Sequence, residues 1–138
     1  MQVPMLDLRA QYASIKTEID AAVLAVLETQ QFRGGPVVES FENALAEFVG
    51  VKHAVGVGSG TDALFLILKS MDLQPGDEVI TTPFTFFATA GAIVNAGGIP
   101  VFADICADTM NIDPACIEAL ITPRTRAIMP VHIFGQCA

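Results

Sequence analysis

Two stretches near the start of the chain repeat apolar side chains at the spacing of an amphipathic helix. In the first, Lys16, Glu18 and Asp20 form the opposite, polar face, and the apolar positions are Tyr12, Ile15, Ile19, Val23, Val26 and Leu27. This spacing predicts a helix over about residues 9–28. After the breaker Gly34-Gly35-Pro36, a second helix is predicted over about residues 38–49, with Gly50 at its C-terminal end.

From residue 51 onward the pattern changes to short apolar runs separated by turns and helical segments. The runs predict strands over residues 53–57, 78–82, 99–103 and 126–131. The segments between them predict helices over residues 63–71 and 114–121, and a turn followed by a helix over residues 84–95. Strands that alternate with helices favour right-handed crossovers, so the predicted fold class is α/β, with a mostly parallel sheet between helices.

The turn between the first predicted strand and its helix, Gly56-Val57-Gly58-Ser59-Gly60-Thr61-Asp62, has the residues of an anion site. Glycines permit a tight turn and close approach by a ligand, and Ser, Thr and Asp are common at helix starts. A helix N-terminus offers unpaired N–H groups and the positive end of the helix dipole. The turn therefore either binds the phosphate of a cofactor or is a plain turn capped by Thr61 or Asp62.

Composition limits the classes of partner. The 138 residues are 52% hydrophobic and 16% charged, with a net charge of −8, so a nucleic-acid partner is not expected. No apolar run is long enough for a membrane span, and the N-terminal segment lacks the features of a signal peptide. The three cysteines, Cys106, Cys116 and Cys137, lack metal spacing and indicate free thiols in a reducing compartment. We therefore expect a cytoplasmic protein.

Other chemistries fit the sequence less well. The central turn lacks the third glycine of a dinucleotide fingerprint, and the following strand has no acidic residue at its end. No metal site is predicted, because Asp104, Asp108 and Asp113 do not match a calcium loop and are better explained as caps and turns. Structural roles are also favoured for His53 and His132.

The segment Thr82 to Ala90 follows the second predicted strand, at the same edge of the sheet as the central turn. Its aromatic residues, Phe84, Phe86 and Phe87, provide flat surfaces for a ligand ring. The alternative is a place in the hydrophobic core, which we expect for at least two of the three.

Six motifs resemble those of the DegT/StrS family of sugar aminotransferases, in the same order and at the same spacing. They are VVESFE at 37–42, SGTDAL at 59–64, PGDEVI at 75–80, PFTFFATA at 83–90, DTMNID at 108–113 and PVHIFGQ at 130–136. The resemblance extends from about Leu6 to Ala138, and the six motifs together are highly specific. One departure is Cys137, since the family more often has Pro after Gly-Gln.

The resemblance implies the aspartate-aminotransferase-like fold (fold type I), pyridoxal phosphate as cofactor and a homodimer. The family typically transfers an amino group from glutamate to a nucleotide-linked keto-sugar. By motif, the backbone amides around Gly60, Thr61 and Asp62, with the Thr61 hydroxyl, would bind the cofactor phosphate. Phe86 matches the position that stacks on the pyridine ring.

The same resemblance implies that the chain contains no catalytic residue. In the family, the lysine that forms the Schiff base and the acid that pairs with the ring nitrogen both follow the Gly-Gln segment. The lysines of this chain, Lys16, Lys52 and Lys69, do not match the motif of the Schiff-base lysine. We therefore expect the N-terminal part of a major domain, with a helical lead-in over 1–50 and a β/α segment over 51–138. The remainder of that domain and a small C-terminal domain would be absent, and the first strand would lack a neighbour. Such a chain would be inactive by itself.

Three alternatives remain open at this point. The first is a dehydratase of the same family, since the residue that decides between the two reactions lies outside the sequence. The second is a non-catalytic chain that binds a second copy through exposed apolar surface. A nucleotide-binding oxidoreductase is the third and least favoured.

Overall fold

The computed structural model describes residues 5–138, and its contacts divide the chain into a unit that ends at Gly56 and a unit from Val57 to Ala138. Residues 1–4, which belong to the N-terminal segment without signal-peptide features, lie outside the described part. The first unit contains helices α1 (Leu8–Thr29) and α2 (Pro36–Val49). Both helices were predicted to within two residues at each end.

Local sequence explains where these helices begin and end. The Asp7 carboxylate caps α1 by accepting from the N–H groups of Arg9 and Ala10. Pro36 occupies the first turn of α2, where its missing N–H has no effect on the hydrogen bonding, and α2 ends before Gly50. The predicted apolar positions of α1 lie on its surface, since none of its residues is buried. Its apolar side chains and the following loop line a groove of about 370 Å³, formed by Ala22, Val23, Val26, Leu27, Phe32 and Val37.

The first predicted strand, residues 53–57, is wrong for the chain as described. This segment forms no strand within residues 5–138. The Gly56 N–H donates a hydrogen bond to Glu42 Oε1 at 2.6 Å, which is a contact with a side chain and not with a strand. A strand is stabilised by hydrogen bonds to a neighbouring strand, and no strand within residues 5–138 pairs with this segment.

The second unit has a parallel sheet of three strands, β1 (Glu78–Thr81), β2 (Ile99–Phe102) and β3 (Thr125–Ile128), in the order β2-β1-β3. Helix α3 (Gly60–Ser70) precedes β1, and α4 (Ala88–Ala96) connects β1 to β2. All four residues of β1 are buried, as expected for the central strand of a covered parallel sheet. The α/β fold class is confirmed.

Successive residues of β1 face opposite sides of the sheet, and two of them, Val79 and Ile80, belong to different apolar clusters. Val79 packs with Leu68 of α3 and with Ala92, Ile93 and Ala96 of α4. Ile80 packs on the other side with Ala103 and Ile112. The sheet thus holds α3 and α4 on one face, and its carboxyl edge carries the start of α4 and the segment after β3.

The structure confirms one predicted helix and corrects another. Within the predicted turn and helix over 84–95, α4 begins at Ala88, because Pro83 and a Phe84 N–H bond to the Thr82 hydroxyl turn the chain first. The predicted helix over 114–121 is two separate 3-10 turns, Pro114–Cys116 and Glu118–Leu120. In the described part of the chain, no helix combines the length and apolar character needed to cross a bilayer.

Candidate functional site

The start of helix α3 is built by Ser59. Its Oγ accepts a hydrogen bond from the Asp62 N–H at 3.1 Å, and its hydroxyl donates to Asp62 Oδ2 at 2.9 Å. Ser59 is therefore the N-cap residue, rather than Thr61 or Asp62, the two cap residues proposed from sequence. This arrangement fixes the first turn of α3 without using the two N–H groups that follow Ser59.

The N–H groups of Gly60 and Thr61 have no hydrogen-bond acceptor in the described chain. The Thr61 hydroxyl is likewise without a partner among residues 5–138. The N–H of Asp62, the third predicted phosphate ligand, is occupied by Ser59. Two free amides and a hydroxyl at the positive end of a helix form a site suited to a phosphate oxygen cluster.

Two glycines of this turn have different surroundings. A Cβ on Gly58 would lie 2.8 Å from Asp62 Oδ2, so glycine at this position lets the Asp62 carboxylate fold back onto the turn. A Cβ on Gly60 would meet no atom within 4 Å. Packing within the chain therefore accounts for a glycine at position 58. It does not account for a glycine at position 60, where a side chain would face open space.

A cleft of about 440 Å³ opens beside this turn at the carboxyl edge of the sheet. It is lined by Gly60, Thr61, Leu64, Thr85, Phe86, Ala88, Thr89, Val131 and Ile133. The structure thus brings together three of the four predicted cofactor-binding residues, Gly60, Thr61 and Phe86. Asp62 does not line the cleft; its carboxylate is held by Ser59 instead.

The three aromatic residues after β1 are more exposed than expected. Phe84 is 42% exposed, Phe86 75% and Phe87 82%, so the prediction that at least two of them lie in the core is wrong. All three lie in the bent segment between β1 and α4. Phe86 lies in the cleft, whereas Phe87 contributes to a separate groove along α4.

The remaining wall of the cleft comes from the segment after β3. Val131 and Ile133 line it, and the hydroxyls of Thr85 and Thr89 are hydrogen-bonded to each other at 2.8 Å. Sequence reasoning did not single out these four residues. Two signals pointed to them: they lie within the motifs at 83–90 and 130–136, and all follow the carboxyl end of a strand, where ligands bind in open α/β sheets.

The acidic loop after β2 has the structural role predicted for it. Asp113 accepts from the Ala115 N–H and Asp104 from the Ile105 N–H, as caps and turn residues do. Among residues 5–138, no group of three or more His, Cys, Asp or Glu side chains is arranged to hold a metal ion. Burial, followed by the nearby Asp113 carboxylate, raises the pKa of the Cys106 and Cys116 thiols, so neither is an activated nucleophile.

No charged side chain is among the nine residues that line the cleft in the described chain. Lys69 lies in the last turn of α3, at the opposite end from the cleft, and Lys16 pairs with Asp20 on α1. The cleft can therefore hold an anionic group and a flat ring, and it offers no side chain that would exchange a proton.

Comparison with known proteins identifies the family of the chain. The model of the DegT/DnrJ/EryC1/StrS aminotransferase family matches residues 13–138. The chain belongs to this family. A protein of Geobacillus stearothermophilus described as a pleiotropic regulatory protein is 49% identical over the whole chain, which covers 37% of that relative.

Two further members carry more chemical information. A UDP-2-acetamido-2-deoxy-3-oxo-D-glucuronate aminotransferase of Pseudomonas aeruginosa is 46% identical over 99% of the chain and 38% of its own length. The Bacillus subtilis protein NtdA, solved with its cofactor PMP bound, superposes with a TM-score of 0.93 at 37% identity, over 99% of this chain and 32% of that one. The chain thus spans less than two fifths of the length of the curated relatives.

Proposed function

We propose that the cleft beside α3 holds pyridoxal phosphate, with the phosphate on the turn and the ring against Phe86. The observation that carries this proposal is the pairing of unused donors with an exposed aromatic ring in one cleft. The Gly60 and Thr61 amides and the Thr61 hydroxyl would bind the phosphate, and the helix dipole favours its negative charge. Asp62 would add its own amide only if the N–H left Ser59.

The proposed ring site fits the size and polarity of the cofactor. Phe86 presents a ring that is 75% exposed, and Val131 and Ile133 add apolar lining to the same cleft. A flat heteroaromatic ring gains stacking and dispersion energy between such surfaces. When bound, the cofactor would supply an electron sink for reactions at the carbon that carries an amino group.

We further propose that the activity served by this segment is the transfer of an amino group to a nucleotide-linked keto-sugar. The support is family membership and the naming of the Pseudomonas relative as an aminotransferase of such a substrate. Within residues 5–138, the lining side chains bind and orient, and none moves a proton. Glutamate as donor, the homodimer and the cytoplasmic location stay predictions from the resemblance and the composition.

The test is to titrate the 138-residue chain with pyridoxal phosphate and, separately, with pyridoxal, which has the same ring and aldehyde without the phosphate. We expect saturable binding of pyridoxal phosphate and at least about tenfold weaker binding of pyridoxal, because three charge-assisted donors would be unused. Thr61→Val should weaken binding of pyridoxal phosphate and leave that of pyridoxal unchanged. Ser70→Ala, at the other end of the same helix, is the matched control.

Borohydride reduction followed by mass spectrometry provides a second readout. We expect no stoichiometric label on Lys16, Lys52 or Lys69, since none lies in the cleft. Equal affinity for the two compounds would show that the turn is a plain helix cap. Specific labelling of one lysine would show that the aldehyde binds elsewhere.

A further inference from the structure

The side chain of Asn111 connects the loops that follow the two outer strands of the sheet. Its Nδ2 donates to the carbonyl oxygens of Gln136 and Cys137, each at 3.2 Å. Asn111 belongs to the loop after β2, and its two acceptors belong to the segment after β3. The contact therefore joins the loops that follow the two strands on either side of β1.

Asn111 is itself held firmly. It is 5% exposed, its carbonyl accepts from the Cys106 N–H at 2.9 Å, and the adjacent Ile112 pairs with Ile105 in an antiparallel bridge. Met110 takes a left-handed φ of 59°, which closes this tight loop. Because the backbone on either side of Asn111 is held in this way, its side-chain amide can hold the carbonyls of Gln136 and Cys137 in place.

The segment after β3 is held by hydrogen bonds near both ends, and between them the His132 carbonyl accepts from the Gly135 N–H at 3.0 Å. At its start, the Met129 N–H donates to the Ile80 carbonyl, and the Thr81 hydroxyl donates to the Met129 carbonyl, both at 2.8 Å. At its end, the two carbonyls are held by Asn111. Val131 and Ile133, which line the cleft, lie between these two sets of hydrogen bonds.

We propose that Asn111 is a positioning residue that sets the wall of the cleft, and hence the affinity for the cofactor ring but not for its phosphate. The proposal rests on the proposed function for the identity of the ligand. The phosphate turn at the start of α3 has its own support from Ser59 and no tie to Asn111. Loss of the Asn111 donors should therefore loosen one side of the site alone.

Asn111→Asp is the sharpest variant, since it keeps the size of the side chain and replaces the donating group by an oxygen that faces two carbonyls. We expect affinity for pyridoxal phosphate to fall about fivefold, the effect of losing one or two hydrogen bonds, with affinity for inorganic phosphate unchanged. Thr122→Ala is the matched control, because it removes a part-buried hydrogen bond to Glu78 at the opposite edge of the sheet. This control should alter neither affinity.

The position of the wall is measured without ligand by nuclear magnetic resonance. The rings of Phe84 and Phe134 have centroids 6.1 Å apart, so they should give a nuclear Overhauser contact in the wild type. In Asn111→Asp we expect this contact to weaken and the methyl signals of Val131 and Ile133 to shift. Thr122→Ala should preserve both signals.

An unchanged ring contact and unchanged methyl signals in Asn111→Asp would overturn the proposal. So would a displaced wall with full affinity for pyridoxal phosphate, or equal losses for pyridoxal phosphate and inorganic phosphate. If the wild type binds no pyridoxal phosphate, the proposed function fails, and the methyl and ring signals still decide whether Asn111 positions the wall.

Discussion

Arg124, immediately before β3, donates two hydrogen bonds to one carboxylate oxygen of Glu78, the first residue of β1. Its Nε lies 2.9 Å and its Nη2 2.5 Å from Glu78 Oε1, and the Thr122 hydroxyl donates to the other oxygen at 2.6 Å. Glu78 is buried, whereas the Arg124 side chain is 61% exposed. Glu78, Thr122 and Arg124 thus lie at the amino ends of β1 and β3, at the end of the sheet opposite the cleft.

We expect Arg124→Met to lower the melting temperature by about 5 °C, because it leaves a buried carboxylate with one donor. Arg126→Met is the matched control, since Arg126 Nε lies 3.8 Å from Asp77 Oδ2, a longer ion pair whose carboxylate is more exposed than that of Glu78, and it should change the melting temperature by under about 2 °C. Thermal unfolding followed by circular dichroism measures both. Equal effects of the two variants would argue against a special role for Glu78.

The same group predicts a pH dependence. Hydrogen bonds from Thr122 and then Arg124 lower the pKa of Glu78 below its ordinary value of 4.5, and burial only partly opposes them. A lowered pKa in the folded state means that this carboxylate stabilises the fold fully above about pH 4.5 and ceases to do so as the pH falls through the folded value. The difference in melting temperature between the wild type and Glu78→Gln should be largest at pH 7 and shrink below pH 4.5. A difference that is constant from pH 7 to 3.5 would contradict this.

Phe86 and Phe87 form a natural pair of variants, because both are highly exposed and only Phe86 lies in the cleft. We expect Phe86→Ala to weaken binding of pyridoxal phosphate about tenfold through lost stacking. Phe87→Ala should change the affinity by less than about twofold, and both should retain the wild-type melting temperature. Titration followed by absorbance tests this, and a larger loss for Phe87→Ala would place the ring elsewhere.

Gly60→Ala separates folding from binding. The added methyl meets no atom of the chain, and alanine favours a helix over glycine, so the melting temperature should stay equal or rise. Binding of pyridoxal phosphate should weaken by about tenfold, because glycine lets a ligand approach the backbone closely. Gly58→Ala is expected to behave oppositely in the folding assay, since its methyl would press on the Asp62 carboxylate. Unchanged affinity in Gly60→Ala would exclude close phosphate contact there.

Much of this architecture could be predicted because local sequence determines it. The helix α1 was located from side-chain spacing and α2 from Pro36 and Gly50, and the three paired strands from apolar runs bounded by Pro and Gly. The segment 53–57 has the same apolar character as those strands. It forms no strand in the described chain because hydrogen-bonded neighbours, which no local pattern encodes, are required as well.

Some features of the candidate site could also be predicted from the sequence, and others could not. The position of Gly60, Thr61 and Phe86 at one sheet edge followed from the alternation of strands and helices, and the structure confirms that they share a cleft. The burial of the aromatic residues was wrong because apolar character does not determine which face a turn presents. The contact of Asn111 with residues 136 and 137 joins points far apart in sequence, so spacing could not have revealed it.

The order β2-β1-β3 also affects how the second unit forms. Glu78 pairs with Ile99 on one side and with Thr125 on the other, so each pairing closes a long loop and no hairpin can assemble first. Closing each loop lowers the conformational entropy of the chain before the hydrogen bonds between the strands can form and offset that loss. The buried central strand is therefore expected to gain its partners late, and the cleft at its carboxyl end exists only once both crossovers are complete.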